Sequence, residues 1–405
     1  MQRCGDMNGP SLTGLTARIV GSVSQFEPTA WNGLCGTTRG LGDYNPFLSQ
    51  AFLGALEDSG CVGGRTGWLP AFLRVENAAG ELVGAIPAYM KSHSQGEYVF
   101  DHGWADAFER AGGEYYPKLQ VSVPFTPATG PRLLVRRDLD GAPVRRALAQ
   151  TLQAATAQLE ASSAHVTFAA EPDITALEDA GFLHRTDQQF HFFNEGFGSY
   201  DDFLATLASR KRKALKKERR EAVSAGITID HLTGSDITEA VWDDFFAFYM
   251  DTGSRKWGRP YLNRTFFSLI GERMSQDILL VMARRNGRYV AGAINFIGAN
   301  TLYGRNWGCI EDHPFLHFEV CYHQAIDFAI VRGLKVVEAG AQGEHKLARG
   351  YRPVTTHSLH HIAHPGLRRA VADYLERERR EVARAIDYFE SHTPFRKSEQ
   401  PGSDD

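Results

Sequence analysis

What most restricts the fold of this chain is an order of elements that occurs twice. In the first half, "NPFLSQAFLGALEDSG" places Leu48, Phe52, Ala55 and Leu56 on one helical face, with Asn45 as N-cap and Pro46 at the first helical position. Two apolar runs around a Gly-containing turn follow in "WLPAFLRVENAAGELVGAIPAYMK", which predicts a hairpin. A helix is expected over Ala142–Ser162, then a strand in "AHVTFAA", a short helix in "DITALEDAGF" and a strand in "QQFHFFNEG". The second half opens with one helix expected across "SYDDFLATLASRKRKALKKERREAVSAG", started by Ser199 and closed by Gly226. Helices around "VWDDFFAFYMDTGS" and "RTFFSLIGERM" follow, then strands through "DILLVMARRNGRYVAGAINFIGANTLYGRNWGC", joined at Asn-Gly and Ala-Asn turns. "FEVCYHQAIDFAIVRG" reads as a helix ending at Gly333, "LKVVEAG" and "TTHSLHHIA" as strands, and Pro365 as the start of a charged helix reaching about Phe389.

Each half therefore has antiparallel hairpin strands before one crossover from strand through helix to a parallel strand. This is an α+β layer, and its element order is that of an acetyltransferase-type (GNAT) fold used twice. A doubly wound sheet fits less well, because the hairpins precede the crossover and no glycine fingerprint opens a first helix. The expected division is a disordered start at 1–15, a first GNAT-like domain at 16–197, a second at 198–395 and a disordered tail at 396–405. A chain of 405 residues, 43% hydrophobic, can fill two cores. Its net charge of −4 gives no global basic field, so contact with nucleic acid would need a local patch. Five cysteines without a C-x-x-C pair suggest a reducing compartment. The run Ile278–Ala283 is far too short to span a bilayer, and no signal peptide is visible; a cytoplasmic protein is expected.

Three blocks carry a resemblance: "NPFLSQAFLGALEDSG", the stretch from "YMKSHSQGEYVFDHGWADAF" to "YYPKLQVSVPFTPATGPRLL", and "GAQGEHKLARGYRPVTTHSLHHI". In these the chain resembles the bacterial FemAB-like family, from about Phe47 to about Phe389. More distantly it is similar to the FemABX peptidyltransferases. That resemblance implies two GNAT-like domains and transfer of an amino acid from aminoacyl-tRNA to an amine of a cell-wall precursor. It also matches the basic run "SRKRKALKKERR" to the family's basic helix at the start of the second domain, and "KLARGY" to a lysine-bearing segment after a late strand. It implies that the first domain is the acceptor side.

The segment Glu338–Pro353, "EAGAQGEHKLARGYRP", follows the fifth strand of the second half. A GNAT sheet splays between strands four and five, and the donor's carbonyl enters there. Acyl transfer to an amine needs a base for the ammonium proton and a positive group for the oxyanion. Glu344 or His345 could be the base; Lys346 and Arg349 could hold an oxyanion, a carboxylate or a phosphate. Gln342, Tyr351 and Trp257 are further candidate substrate contacts. A plain solvated loop is the alternative, but this density of charge at a strand's C-terminal end favours function. On strand four, Tyr303, Arg305 and Trp307 at period two should share one face, as an acid or phosphate binder or as cross-strand packing.

In the first half Lys91, His93, Ser94 and Glu97, with Asp101 nearby, precede Tyr115, Tyr116 and Lys118, and then Thr126 and Arg132. Such a set suits a sugar, peptide or nucleotide acceptor, or else is a Pro/Gly loop cluster with incidental polar groups. Arg210, Lys211, Arg212, Lys213, Lys216 and Lys217 surround their whole helix. They are candidates for tRNA phosphates, against a merely solvated helix. His313 and His317 have metal-pair spacing, but Pro314 and the lack of a third ligand argue for no metal. The pyrophosphate loop of CoA-using acetyltransferases is not seen, so acyl-CoA is the second choice of donor and no bound cofactor is expected. Cys309 and Cys321 lack a readable base and are not nominated as nucleophiles. A non-catalytic peptidoglycan- or nucleotide-binding module is the rival of another class.

Overall fold

The computed structural model describes residues 14–257, 260–340 and 343–396; for 254–257 it describes the backbone. The chain divides into two units, 1–186 with 356–379, and 187–355 with 380–405. The expected boundary near 197 thus moves upstream, and the C-terminal strand and most of its helix return to the first unit. The terminal segments expected to be disordered lie almost wholly outside the described residues.

In the first unit, β1 (Thr16–Val20) precedes α1 (Pro28–Asn32) and α2 (Gln50–Asp58). Asn45 caps a single 3-10 turn at Pro46–Leu48 rather than the helix; Ser49 caps α2 through its hydroxyl and the Phe52 N–H. The hairpin arms are each interrupted. β2 (Trp68–Pro70) continues as β3 (Phe72–Glu76), and β4 (Leu82–Ile86) as β5 (Ala88–Lys91). Trp68 faces Lys91 and Leu73 faces Ile86, so both parts of the hairpin keep one register until it shifts between Val75 and Glu76. Pro70 and Pro87 cannot donate to a ladder, and there the hairpin passes from one sheet into another. After α3 (His102–Arg110) come β6 (Lys118–Val121), β7 (Leu134–Val135), α4 (Gly141–Gln158), β8 (Ser163–Thr167), α5 (Asp173–Asp179) and β9 (Leu183–Phe193). The sheets run β1-β3-β4-β7 and, in this unit, β5 between β2 and β6, then β8 and the end of the last strand. β6 and β8 are parallel, and α4 is their crossover. Leu148 and Leu152 of α4 pack with Val121, Val166 and Leu359 in the core.

The second unit takes the end of β9. The long helix expected after Ser199 is two helices, α6 (Tyr200–Thr206) and α7 (Ser209–Ala222). Leu207 between them is fully buried and bridges Phe395, which holds that residue extended. Then follow β10 (Ile227–Leu232), α8 (Glu239–Trp257), α9 (Arg264–Met274), β11 (Ile278–Arg285), β12 (Arg288–Ile297) and β13 (Thr301–Cys309). The crossover runs through α10 (Leu316–Phe318), a π turn at Glu319–His323 and α11 (Gln324–Arg332), which Gly333 closes at φ 66°. It leads to β14 (Val336–Glu338), and after it β15 (Arg352–Ile362) and α12 (Pro365–Ser391) complete the chain. The sheet order here is β10-β11-β12-β13-β14-β9, with only β13 and β14 parallel. None of the described helices is long and apolar enough to cross a membrane.

Candidate active site

The fourth and fifth strands of the second unit part company. β13 and β14 pair at Thr301–Val336, Leu302–Val337 and Tyr303–Glu338. β14 then ends, while β13 runs on to Cys309. The chain turns away at Gly340 (φ 77°) and Gly343 (φ 114°), backbone that favours glycine, and enters a 3-10 helix at Glu344–Arg349.

Lys346 lies inside that turn, fully buried, with its Nζ donating to the Gly340 carbonyl at 2.7 Å. Among the described residues it has no carboxylate partner. Burial therefore pulls its pKa down to about 8, with Cys321 beside it. His191 of β9, opposite Glu338, is in reach of the same ammonium; burial and then Lys346 push its pKa down to about 3. His345 is exposed, and its Nε2 is 2.9 Å from the Tyr322 hydroxyl. Glu344 is exposed as well.

Three expectations change here. Arg349 is not free for a ligand: it is buried, grips Glu218 through Nε (2.8 Å) and Nη2 (2.7 Å), and stacks 3.4 Å above the Phe318 ring. Tyr351 is buried within the aromatic core against Phe192 and Tyr322, its hydroxyl without a hydrogen-bond partner among the described residues. Tyr303 and Trp307 do not share a face. Tyr303 faces Phe296 and Trp307 faces Ala293, with a register shift between, so the extra residue reverses the alternation. Arg305 is half-buried, and Trp307 packs on His317 at 5.2 Å. His313 bonds Glu311 at 2.9 Å. Gln342 and the side chain of Trp257 lie outside the described residues.

The basic helix α7 is not charged alike all round. Leu215 and Ala222 are buried, and Glu218 and Arg219 bond inward. Arg210, Lys211, Lys213, Lys216 and Lys217 are exposed and Arg212 is half-buried. Lys216 meets Asp201 at 2.8 Å and Lys217 meets Glu221 at 3.4 Å. Lys213, Lys216, Lys217 and Arg220 line a cleft of about 800 Å³ with Tyr200 and Asp201.

In the first unit the structure brings most of the proposed acceptor residues together. Lys118 Nζ donates to Ser94 Oγ and Glu97 Oε2, both at 2.7 Å, and to Asp101 Oδ2. Ser94 also meets the Tyr116 hydroxyl at 2.8 Å, and Tyr115 donates to Asp101 at 2.7 Å. Lys91 lies 3.7 Å from the centre of the Trp68 ring and 3.8 Å from Glu97. Burial pulls Lys91 down to about 7 and pushes Glu97 up to about 7. Burial alone would raise Asp101 too, but the Lys118 charge holds it below the ordinary carboxylate range. Among the described residues, none donates a hydrogen bond to the buried Glu97 Oε1 or Asp101 Oδ1.

The chain of bonds continues through residues with no role assigned from sequence. His165 Nε2 meets Ser163 Oγ at 2.8 Å and its Nδ1 meets His360 Nδ1 at 2.6 Å, and His360 reaches Ser358. The signal was polar alternation in "SAHVT" and "HSLHH", which puts Ser163, His165 and Thr167 on one face of β8. Three candidates stay out of this cluster. His93 bonds the Thr66 carbonyl at 3.1 Å, and Thr126 bonds the Pro124 carbonyl at 3.0 Å. Arg132 donates to the carbonyls of Thr167, Pro131 and Ala128, so it holds backbone in place.

Each unit has antiparallel strands ahead of a parallel pair joined by a crossover helix, the GNAT arrangement; the fold is α+β with tandem GNAT-like units. The chain belongs to the FemAB-like family, described as peptidoglycan biosynthesis/recognition, which matches residues 22–397. The crystal structure of FemX shares the fold, with a TM-score of 0.52 and 12% identity over 88% of this chain and 100% of its own. Two further structures score lower. One is a tandem GNAT protein from the clavulanic acid biosynthesis pathway, at 0.44 and 12% identity over 87% of this chain and 99% of its own. The other is L-PGS from Bacillus licheniformis, at 0.47 and 10% identity over 85% and 96%. No curated protein matches the sequence.

Proposed function

We propose that this protein forms an amide by moving an aminoacyl or acyl group onto an amine of a peptidoglycan precursor, a peptide or a related metabolite. The observation that carries this reading is Lys346, buried without a carboxylate partner among the described residues, beside the parting of β13 and β14. The donor's carbonyl enters the parting. The acceptor amine attacks it, and the Lys346 ammonium donates to the oxyanion that forms. Such a donor in a dry site stabilises the transition state far more than it would in water. Collapse of the intermediate makes the amide bond and expels the donor's oxygen or sulfur, which takes a proton. The attacking nitrogen loses a proton to a base, for which His345, exposed and 2.9 Å from the Tyr322 hydroxyl, is the candidate.

Aminoacyl-tRNA is the preferred donor, supported by the exposed cations of α7 and their cleft. The Lys118, Glu97 and Lys91 cluster, with Ser94, Tyr115 and Tyr116, belongs to the acceptor side. The test is transfer from charged tRNA, and in a parallel arm from acyl-CoA, to a panel of amines, read by mass spectrometry for wild type and Lys346→Ala. Loss of one oxyanion donor is expected to lower turnover by about 10²–10³ with the fold intact by circular dichroism. Wild-type turnover in a folded Lys346→Ala variant sinks the assignment, and product from acyl-CoA alone replaces the donor.

A further inference from the structure

Glu218, within the basic helix, is the hub that joins that helix to the lysine turn. Its carboxylate accepts from Arg349 Nε and Nη2, and from His323 Nε2 at 2.9 Å. With Nε2 donating, His323 Nδ1 accepts from the Tyr200 hydroxyl at 2.6 Å. The same guanidinium donates through Nη1 to the carbonyl of His345, the residue before Lys346, at 2.7 Å. Phe318 under Arg349, and His323 itself, come from the crossover at its π turn. A π turn widens a helix locally and is frequent at functional sites. Next to Glu218, Arg219 pins α7 to the same crossover through Glu319 (2.9 Å) and Asp327 (2.6 Å). Apolar side chains would stabilise such a junction as well as buried ion pairs do. What the ion pairs add is direction: two parallel Arg–carboxylate bonds fix orientation as well as distance.

We propose that Glu218 is a positioning residue: it clamps the Lys346 turn to α7, so that a donor anchored on the exposed cations of that helix meets Lys346 at a fixed place. This rests on the reading of Lys346 as the oxyanion donor. Removing the clamp leaves the exposed cations untouched, so donor binding survives while the alignment is lost. A misplacement of about 1 Å costs on the order of 10²-fold in rate.

The experiment compares wild type, Glu218→Gln and Lys346→Ala in the transfer assay. It also follows the reactivity of Lys346 with acetic anhydride against pH, by peptide mass spectrometry. For Glu218→Gln we expect a fall in kcat of about 10- to 100-fold with donor KM within about twofold. We also expect its Lys346 profile to move from about 8 toward the ordinary lysine value as water reaches the turn. Cys321, His191 and His345 face or flank that lysine and are unchanged in the variant. A variant that melts earlier but keeps wild-type kcat and the wild-type Lys346 profile overturns the proposal, because a purely structural pair would do that. Wild-type turnover in Lys346→Ala would fell the underlying reading instead, and the labelling profile would still decide the clamp.

Discussion

Replacing Lys118 by methionine removes a cation that touches both Glu97 and Asp101. The side chains have similar length, so the cavity is small and the effect is electrostatic. Lys118 is fully buried, and the two carboxylates are almost so. Removing one partner of a buried pair costs about 3–5 kcal/mol, because the remaining charge has no compensation. At about 2–4 °C per kcal/mol for a unit of this size, the melting temperature should fall by roughly 10 °C. The pH dependence is the sharper readout. Without the ammonium, both carboxyls favour their protonated forms in the folded state. A carboxyl with a raised folded pKa stabilises the fold below its unfolded value of about 4, and loses that contribution as pH rises. The deficit of Lys118→Met should therefore be smallest near pH 4–5 and reach its full size by about pH 8. Adding Glu97→Gln and Asp101→Asn should recover most of it, since neutral amides need no counter-charge. Calorimetry of the three proteins across pH is the assay. A melting point within 1 °C of wild type (~0.3–0.5 kcal/mol), or a deficit independent of pH, would show that the cluster is not the coupled buried network its geometry describes.

Turnover should also report Lys346 directly. If its protonated form is needed, activity is lost as pH rises through about 8, and a profile flat to pH 10 refutes the role. Changing Lys211, Arg212, Lys216 and Lys217 to Gln should weaken tRNA binding and flatten its salt dependence by up to about 0.7–0.9 log units per lost contact, read by titration at several salt concentrations. Identical slopes would make α7 a surface feature. A Cβ on Gly308 would come within 2.1 Å of the Phe248 carbonyl on α8. Gly308→Ala should therefore lower the urea midpoint by an amount equivalent to about 1–3 kcal/mol, and an unchanged midpoint would mean that α8 yields freely.

Much of this was legible because it is local. Apolar periodicity and turn residues mark β11 to β14 and the crossover helix, and the lysine segment follows from counting strands. The same local rules failed where a distant partner intervenes. Leu207 looks helical in its own window and is extended because Phe395 pairs with it. Arg349 looks like a ligand-binding arginine in a polar loop, but Glu218, 131 positions earlier, takes its donors. The face shared by Tyr303 and Trp307 was lost to one extra residue in the pairing with β12.

By itself the sequence determined the plan of hairpin strands ahead of a strand–helix–strand crossover in each half, the place of Lys346 after the late strand, and the grouping of Lys91, Ser94, Glu97, Tyr115, Tyr116 and Lys118 on nearby segments. Those depend on φ/ψ preference and on periods of two and 3.6, which act within a few residues. The tertiary structure decided which charges are spent internally and which remain for a ligand. It joined His165 to His360 across 195 positions, gave Arg132 to backbone carbonyls, and left Lys346 without a carboxylate among the described residues. Burial and pairing set the behaviour of a charged group, and both are properties of contacts between segments that no local window contains.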